Sequence, residues 1–238
     1  MSVFRSIVFS AAVAGLIAGA IVTIVQQIGT VPLILKAEGY ERAADATQPR
    51  SAAGEHVNHE RHDEAAWQPQ EGLERTIYTA GANILTAIGF SLLLAGFYAL
   101  RQSPITWREG VVWGFAGFAV FTVAPGLGLP PELPGVPAAP LGERQIWWTA
   151  AALSTAVGLG LFAFRRSIVT AVAGLCLLVA PHLIGAPRLA EIHTNVPEAL
   201  SHQFVVAVTL TSLLFWILLG GLTSIAYRRF STGNQRLR

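Results

Sequence analysis

"SIVFSAAVAGLIAGAIVTIVQ", residues 6–26, runs for 21 residues without a charge, and as a helix that length crosses a hydrocarbon core of about 30 Å. One such run makes the bilayer, rather than water, the solvent to reason from. Arg5 ahead of an Ala- and Gly-rich core resembles a signal peptide. The run is longer than the roughly 7–15 apolar residues of such a segment, so it reads as a retained span. The whole chain agrees: 53% of its 238 residues are hydrophobic, only 13% are charged, and the mean hydropathy is positive, which together are unusual for a soluble domain.

Applying the same length rule outward predicts an all-α, polytopic transmembrane bundle of about six spans, at 6–26, 79–100, 110–124, 146–164, 167–184 and 204–227. The third is the shortest, with about 15 apolar residues before Pro125, and it needs 126–129 to finish crossing. Residues 1–238 then form a single integral membrane domain, and 28–78 forms a polar loop between the first two spans. The single cysteine, Cys176, lies in an apolar run, which excludes a disulfide within the chain and a cysteine metal cluster.

With six spans, the N-terminus, 101–109, Arg165 with Arg166, and 228–238 share one side, carrying nine Arg and one acid, Glu109. The other side, made of 28–78, 125–145 and 185–203, holds one Lys, six Arg and thirteen acids, a net charge of −6 (7 − 13). The basic side is expected in the cytoplasm by the positive-inside rule, with both termini there. The acidic side faces out, where it raises the local concentration of cations. All six histidines fall on or beside the acidic side.

"LTAIGFSLLLAGFYALRQS" (85–103) is echoed by "LSTAVGLGLFAFRRS" (153–167). The spans that follow end in "APGLGLPP" (124–131) and "APHLIGAP" (180–187). This suggests parallel two-helix repeats, spans 2–3 and 4–5, of a kind used in transporter bundles; the alternative is chance likeness among Gly/Ala/Leu-rich spans. No Asp, Glu, Lys or Arg lies mid-span, where proton relays and ion-coupled pumps place them. The polar groups there are Gln26, Gln27, Asn83, Thr86, Ser91, Ser154, Thr155, Thr209, Thr211 and Ser212, read as links between helices, with Gly15, Gly19, Gly158 and Gly160 as close-approach positions. GxSxG, Walker and HExxH patterns are missing, so the chain is not read as an enzyme. A cytochrome is disfavoured because no histidine lies at a span's centre.

Pro125 and Pro181 each lack an N–H and deprive the carbonyls of Phe121 and Leu177 of their helical partner. His182 follows one of these breaks. It is expected either to receive a cation at the outer entrance or simply to end the span at the headgroup level.

Four stretches, "VPLILKAEGYE" (31–41), "EAAWQPQEGLERT" (64–76), "LGLPPELPGVPAAPLGERQIWW" (127–148) and "PHLIGAP" (181–187), together resemble the CbtA family, the probable cobalt transporter subunit. The resemblance implies a bacterial inner-membrane protein of cobalt uptake beside CbtB, a small single-span partner with a histidine-rich segment. It also implies five spans. Six are kept here, because five would put one of two basic termini outside.

The loop between the first two spans contains "GEHVNHERHDEAAW" (54–67), with His56, His59 and His62 three residues apart. On a helix the 300° steps spread them over about 120° of arc and ~9 Å of rise, so a straight helix brings two, not three, to one ion. An irregular loop can gather all three, with Glu55, Glu60 or Asp63 nearby. Imidazole and carboxylate suit cobalt, nickel or zinc without preferring cobalt, which points to a collecting site; the plainer alternative is an acidic loop with incidental histidines. Glu38 and Glu41 in "AEGYE" (37–41) can share a cation from one helical turn, or be solvated beside an interfacial Tyr40. The metal candidates are therefore His56, His59, His62, His182, Glu38 and Glu41, with a divalent cation as substrate and no tightly bound cofactor. The expected partners are the bilayer and the CbtB-like subunit, with no nucleic acid. The competing reading is a non-transporting metal sensor or accessory protein that presents its outer loop.

Overall fold

A computed structural model describes residues 3–47, 69–70, 72–165, 167–189 and 193–232, and among these there is no strand. The helices are α1 (Val3–Gly29), α2 (Val31–Thr47), α3 (Leu73–Arg101), α4 (Trp107–Phe118), a π-helical turn (Ala119–Val123), α5 (Ala124–Gly128), α6 (Leu141–Phe164), α7 (Ile168–Ile184) and α8 (Glu198–Thr232). The α1, α3, α6 and α8 helices and the continuous Trp107–Gly128 rod are long and apolar enough to cross a membrane. The α7 helix is apolar but has 17 residues, about 25 Å of rise, and is the shortest crossing.

The ends of the chain decide how the six apolar helices alternate. Ser6 Oγ donates to the Phe230 carbonyl at 3.2 Å, and the Phe9 and Phe230 rings lie 6.1 Å apart. The start of α1 and the end of α8 are thus side by side, which requires an even number of crossings and makes α7 one of them. Arg101 at the end of α3 pairs with Glu109 at the start of α4 at 3.0 Å, and Phe164 at the end of α6 stacks near Trp113 at 6.0 Å. One end of the bundle therefore gathers the arginine-bearing turns. Helix starts there are capped by their own sequence. Thr106 Oγ1 accepts from Glu109 N and Ser167 Oγ from Thr170 N, each at 3.2 Å, satisfying donors that a helix cannot.

Lipid offers no hydrophobic drive for one helix to join another, so association relies on backbones approaching closely at small residues. Three such crossings build the bundle. A Cβ on Gly15 or Gly19 of α1 would stand 2.6 Å from the Cα of Ile88 or Ile84 in α3. A Cβ on Gly220 of α8 would stand 2.9 Å from Gly114 Cα in α4, and one on Gly158 of α6 would stand 2.8 Å from the Gly174 carbonyl oxygen in α7. Gly160 differs from its expected role: a Cβ there meets nothing within 4 Å, because it faces a cleft rather than a neighbouring backbone.

That cleft, about 790 Å³, lies between α3, α4 and α6 and is lined by rings including Phe97, Trp113, Phe162 and Phe164. It separates the two proposed repeats in character. The α6–α7 pair packs closely where Gly158 meets Gly174. The α3 helix meets α4 and the π turn that follows it through rings, Phe97 with Trp113 at 4.3 Å and Phe90 with Phe121 at 4.9 Å, and α3 and α4 each pack on α8. The difference follows from residue size: glycine pairs admit backbone contact and aromatic pairs hold helices apart.

Gly114→Ala forces α4 from α8 and is expected to cost about 1–3 kcal/mol. Gly160→Ala is expected to be neutral or to stabilise by up to about 1 kcal/mol, since Ala is the better helix former. Thermal unfolding of the purified protein in detergent measures both; equal losses would refute the close-approach account.

Candidate functional site

At the end of the bundle opposite the termini, α2 does not extend as a free loop. Leu33, Ile34 and Ala37 of α2 pack with Leu133, Val196, Leu200 and Phe204. Thr194 Oγ1 donates to the Gly135 carbonyl at 2.8 Å and accepts from Val196 N at 3.1 Å, tying two connecting segments together beneath it. Gly135 has φ +77°, a left-handed conformation natural to glycine. A Cβ there would lie 3.5 Å from Glu41 Cβ.

Glu38 turns toward α3. Its two carboxylate oxygens accept from Arg75 Nη1 at 3.2 Å and Nη2 at 2.7 Å, a forked pair that uses both oxygens. Glu41 instead lies exposed beside Gly135. Among the described residues no group of three His, Cys, Asp or Glu side chains could hold a metal ion. His56, His59 and His62 lie outside the described residues.

The two proline breaks meet at Trp147. Its indole Nε1 donates to the Pro181 carbonyl at 3.2 Å, and the Gly185 N–H donates to the same oxygen at 3.1 Å. The ring also covers Gly128 of α5, where a Cβ would collide with it. Ahead of Pro125 the helix widens into the π turn, in which the Ala124 N–H reaches back five residues to the Ala119 carbonyl; a π turn is a common way to absorb such an interruption. His182 is half-buried and stands edge-on to Trp147, with ring centroids 5.8 Å apart.

A second polar group lies within the spans. Asn83 Nδ2 of α3 donates to Thr23 Oγ1 at 3.0 Å and to Gln26 Oε1 at 2.6 Å, both on α1. Beside this link is a cavity of about 140 Å³ lined by Val22, Gln26, Asn83, Thr86, Thr211, Ser212 and Phe215 from α1, α3 and α8. Gln27 Nε2 donates to Thr76 Oγ1 at 3.3 Å on its outer side, and Ser91 and Thr223 share a buried hydroxyl contact of 2.7 Å further in. The sequence displays Gln26, Gln27, Asn83, Thr86, Ser91, Thr211 and Ser212 as polar interruptions of apolar spans, and the reading along the chain passed over Thr23 and Thr223. Their convergence depends on how each helix is rotated, which no local pattern reports.

The chain matches the family described as the probable cobalt transporter subunit (CbtA) over residues 4–228, nearly its whole length. It belongs to the CbtA family. No curated protein and no solved structure matches it. In this CbtA chain, membership supports a membrane subunit of a metal transporter, and the five long apolar helices with the shorter α7 are the body of that subunit.

Asn83→Leu leaves Gln26 Oε1 without its donor inside the bundle and is expected to destabilise the protein by about 1 kcal/mol. Unfolding of the variant in detergent, compared with wild type, measures it; no loss would mean that water replaces the amide without cost.

Proposed function

We propose that this chain is the membrane-embedded subunit of a divalent-cation uptake system, with cobalt as the transported ion, and that its acidic outer end collects the ion. The observation that carries the reading is the charge polarity of the bundle, since the arginine-bearing turns gather with both termini while thirteen of the fourteen acids belong to the other connections. The basic end is assigned to the cytoplasm of a bacterial inner membrane, because basic connections resist translocation. The acidic end then faces the side from which a cation arrives and enriches it there.

His56, His59 and His62 are assigned as the collecting ligands in the connection between α2 and α3, with Glu41 and His182 as donors on the same outer face. Glu38 joins them only by exchanging its Arg75 partner. No site for nucleotide is apparent in the sequence, so an ATP-driven system requires another chain, and a small single-span, histidine-bearing subunit of the CbtB kind is the partner assigned here.

Cysteines placed after residue 238 and within 45–65 are expected to be labelled from the cytoplasmic and the outer side respectively; a C-terminus reached only from outside would overturn the orientation. Replacing His56, His59 and His62 together by Ala should weaken cobalt uptake several-fold at limiting metal and leave most of the maximal rate. Acidification below about pH 6.5 should act in the same direction, because protonated imidazole cannot ligate. Radioactive cobalt uptake at graded metal concentrations measures both effects. Wild-type behaviour at every concentration would remove the collecting role.

A further inference from the structure

We propose that the cavity between α1, α3 and α8 is a station for a divalent cation inside the bilayer, holding the ion with part of its water shell on neutral oxygens. The proposal rests on the uptake reading above and deepens it by naming where the ion enters the spans.

Hydroxyls in this bundle are mostly spent on their own helices. Thr23 donates to the Gly19 carbonyl, Thr209 to Val205, Ser10 to Ser6 and Ser224 to Gly221, at 2.6–2.8 Å. Several hydroxyls break the habit: those of Tyr98 and Thr155 are buried without a partner elsewhere in the bundle, and those of Thr86, Thr211 and Ser212 gather in one place. None of these last three makes a hydrogen bond to any described residue, and all three line the one cavity, Thr211 from a buried position and Thr86 from the exposed rim. The Asn83 amide hydrogens are used on Thr23 and Gln26, which leaves its Oδ1 as an unspent acceptor on the cavity wall. Four unspent oxygen-bearing groups from two helices, α3 and α8, thus meet at membrane depth against Gln26 of the third.

Polar groups within hydrocarbon must be satisfied, and those left over are tolerated where they line a wet cavity. A volume of about 140 Å³ is room for about four waters at liquid density, or for an ion with some of its shell. The walls carry no carboxylate. Amide and hydroxyl oxygens therefore hold a cation weakly, as conduction requires of a site that an ion must also leave. They do not distinguish cobalt from its neighbours, so discrimination lies elsewhere along the route. The position fits entry from the acidic end, since Gln27 with Thr76 and Glu38 with Arg75 lie on the outer side. Inward, the fully buried Ala87 and Leu219 and the Ser91–Thr223 pair close the way.

Because the three hydroxyls support no bond in the fold, they can be removed without breaking one. Thr211→Val with Ser212→Ala should lower the maximal Co²⁺ uptake rate about tenfold, the scale of a lost contact to a charged group, with membrane abundance and Tm at or above wild type. Thr209→Val, which alters a hydroxyl of α8 already bonded to its own helix, should leave uptake unchanged. A second readout does not require transport. Ser212→Cys in a Cys176→Ser background should react with a small water-soluble thiol reagent, and Co²⁺ should slow that reaction. An unreactive cysteine means a dry cavity and overturns the proposal, as does wild-type uptake by the Thr211→Val, Ser212→Ala chain. If the wild-type chain with its partner takes up no Co²⁺, the uptake reading fails instead; Co²⁺ protection of the cysteine then upholds the cavity as a cation site, and its absence refutes it.

Discussion

Backbone-to-backbone contact at glycine is the constraint on which the rest of this bundle depends. In water, burying Leu and Phe would bring helices together. In lipid that incentive is gone, and what remains is the close fit that a missing Cβ allows. Gly15 and Gly19 bring α1 against α3, Gly110 and Gly114 bring α4 against Gly220 and Trp216 of α8, and Gly158 and Gly174 close the α6–α7 hairpin. The α8 helix becomes the common neighbour of α1, α3 and α4. The α6–α7 hairpin joins the rest chiefly around the π turn and α5, where Trp147 links Gly128 to the Pro181 carbonyl.

The polar cavity is a consequence of the same contacts. Where α1 and α3 touch at Gly15 and Gly19 there is no room for a side chain between them. About two turns further out along α1, Gln26 reaches Asn83 of α3, and side chains rather than backbones make the contact. With α8 contributing Thr211 and Ser212 at the same level, the space beside these amides is lined with oxygen. Apolar rings produce the other opening, the cleft beside Phe97, Trp113 and Phe164, whose walls suit hydrocarbon rather than an ion.

Electrostatics is arranged by ends. Among the described residues, the arginines near the termini and the acids of the opposite connections lie at the two ends of the rods. The span interiors carry no formal charge, which is the state in which the bilayer exacts least. Among the outer groups, Glu38 with Arg75 and Glu132 with Arg144 form ion pairs at 2.7 and 2.8 Å. Part of the acidity therefore holds α2 and the 129–148 segment in place.

Residue by residue, the sequence alone determined what a sum along the chain can determine: that the bilayer is the solvent, where apolar helices run, that glycines mark contacts, and that charge is sorted to two ends. Membership of the CbtA family was legible in the same way, from whole stretches such as 127–148. The tertiary structure alone decided that both termini adjoin, that Glu38 answers Arg75 rather than Glu41, and that Gly158 touches a backbone where Gly160 faces a cleft. It also decided that Asn83, Thr86, Thr211 and Ser212 surround one space. The physical reason is that transfer into lipid depends on composition over a local window, whereas the rotation of each helix about its axis is set by its neighbours. A threonine reads the same in sequence whether its hydroxyl bonds the carbonyl four residues back or faces a cavity.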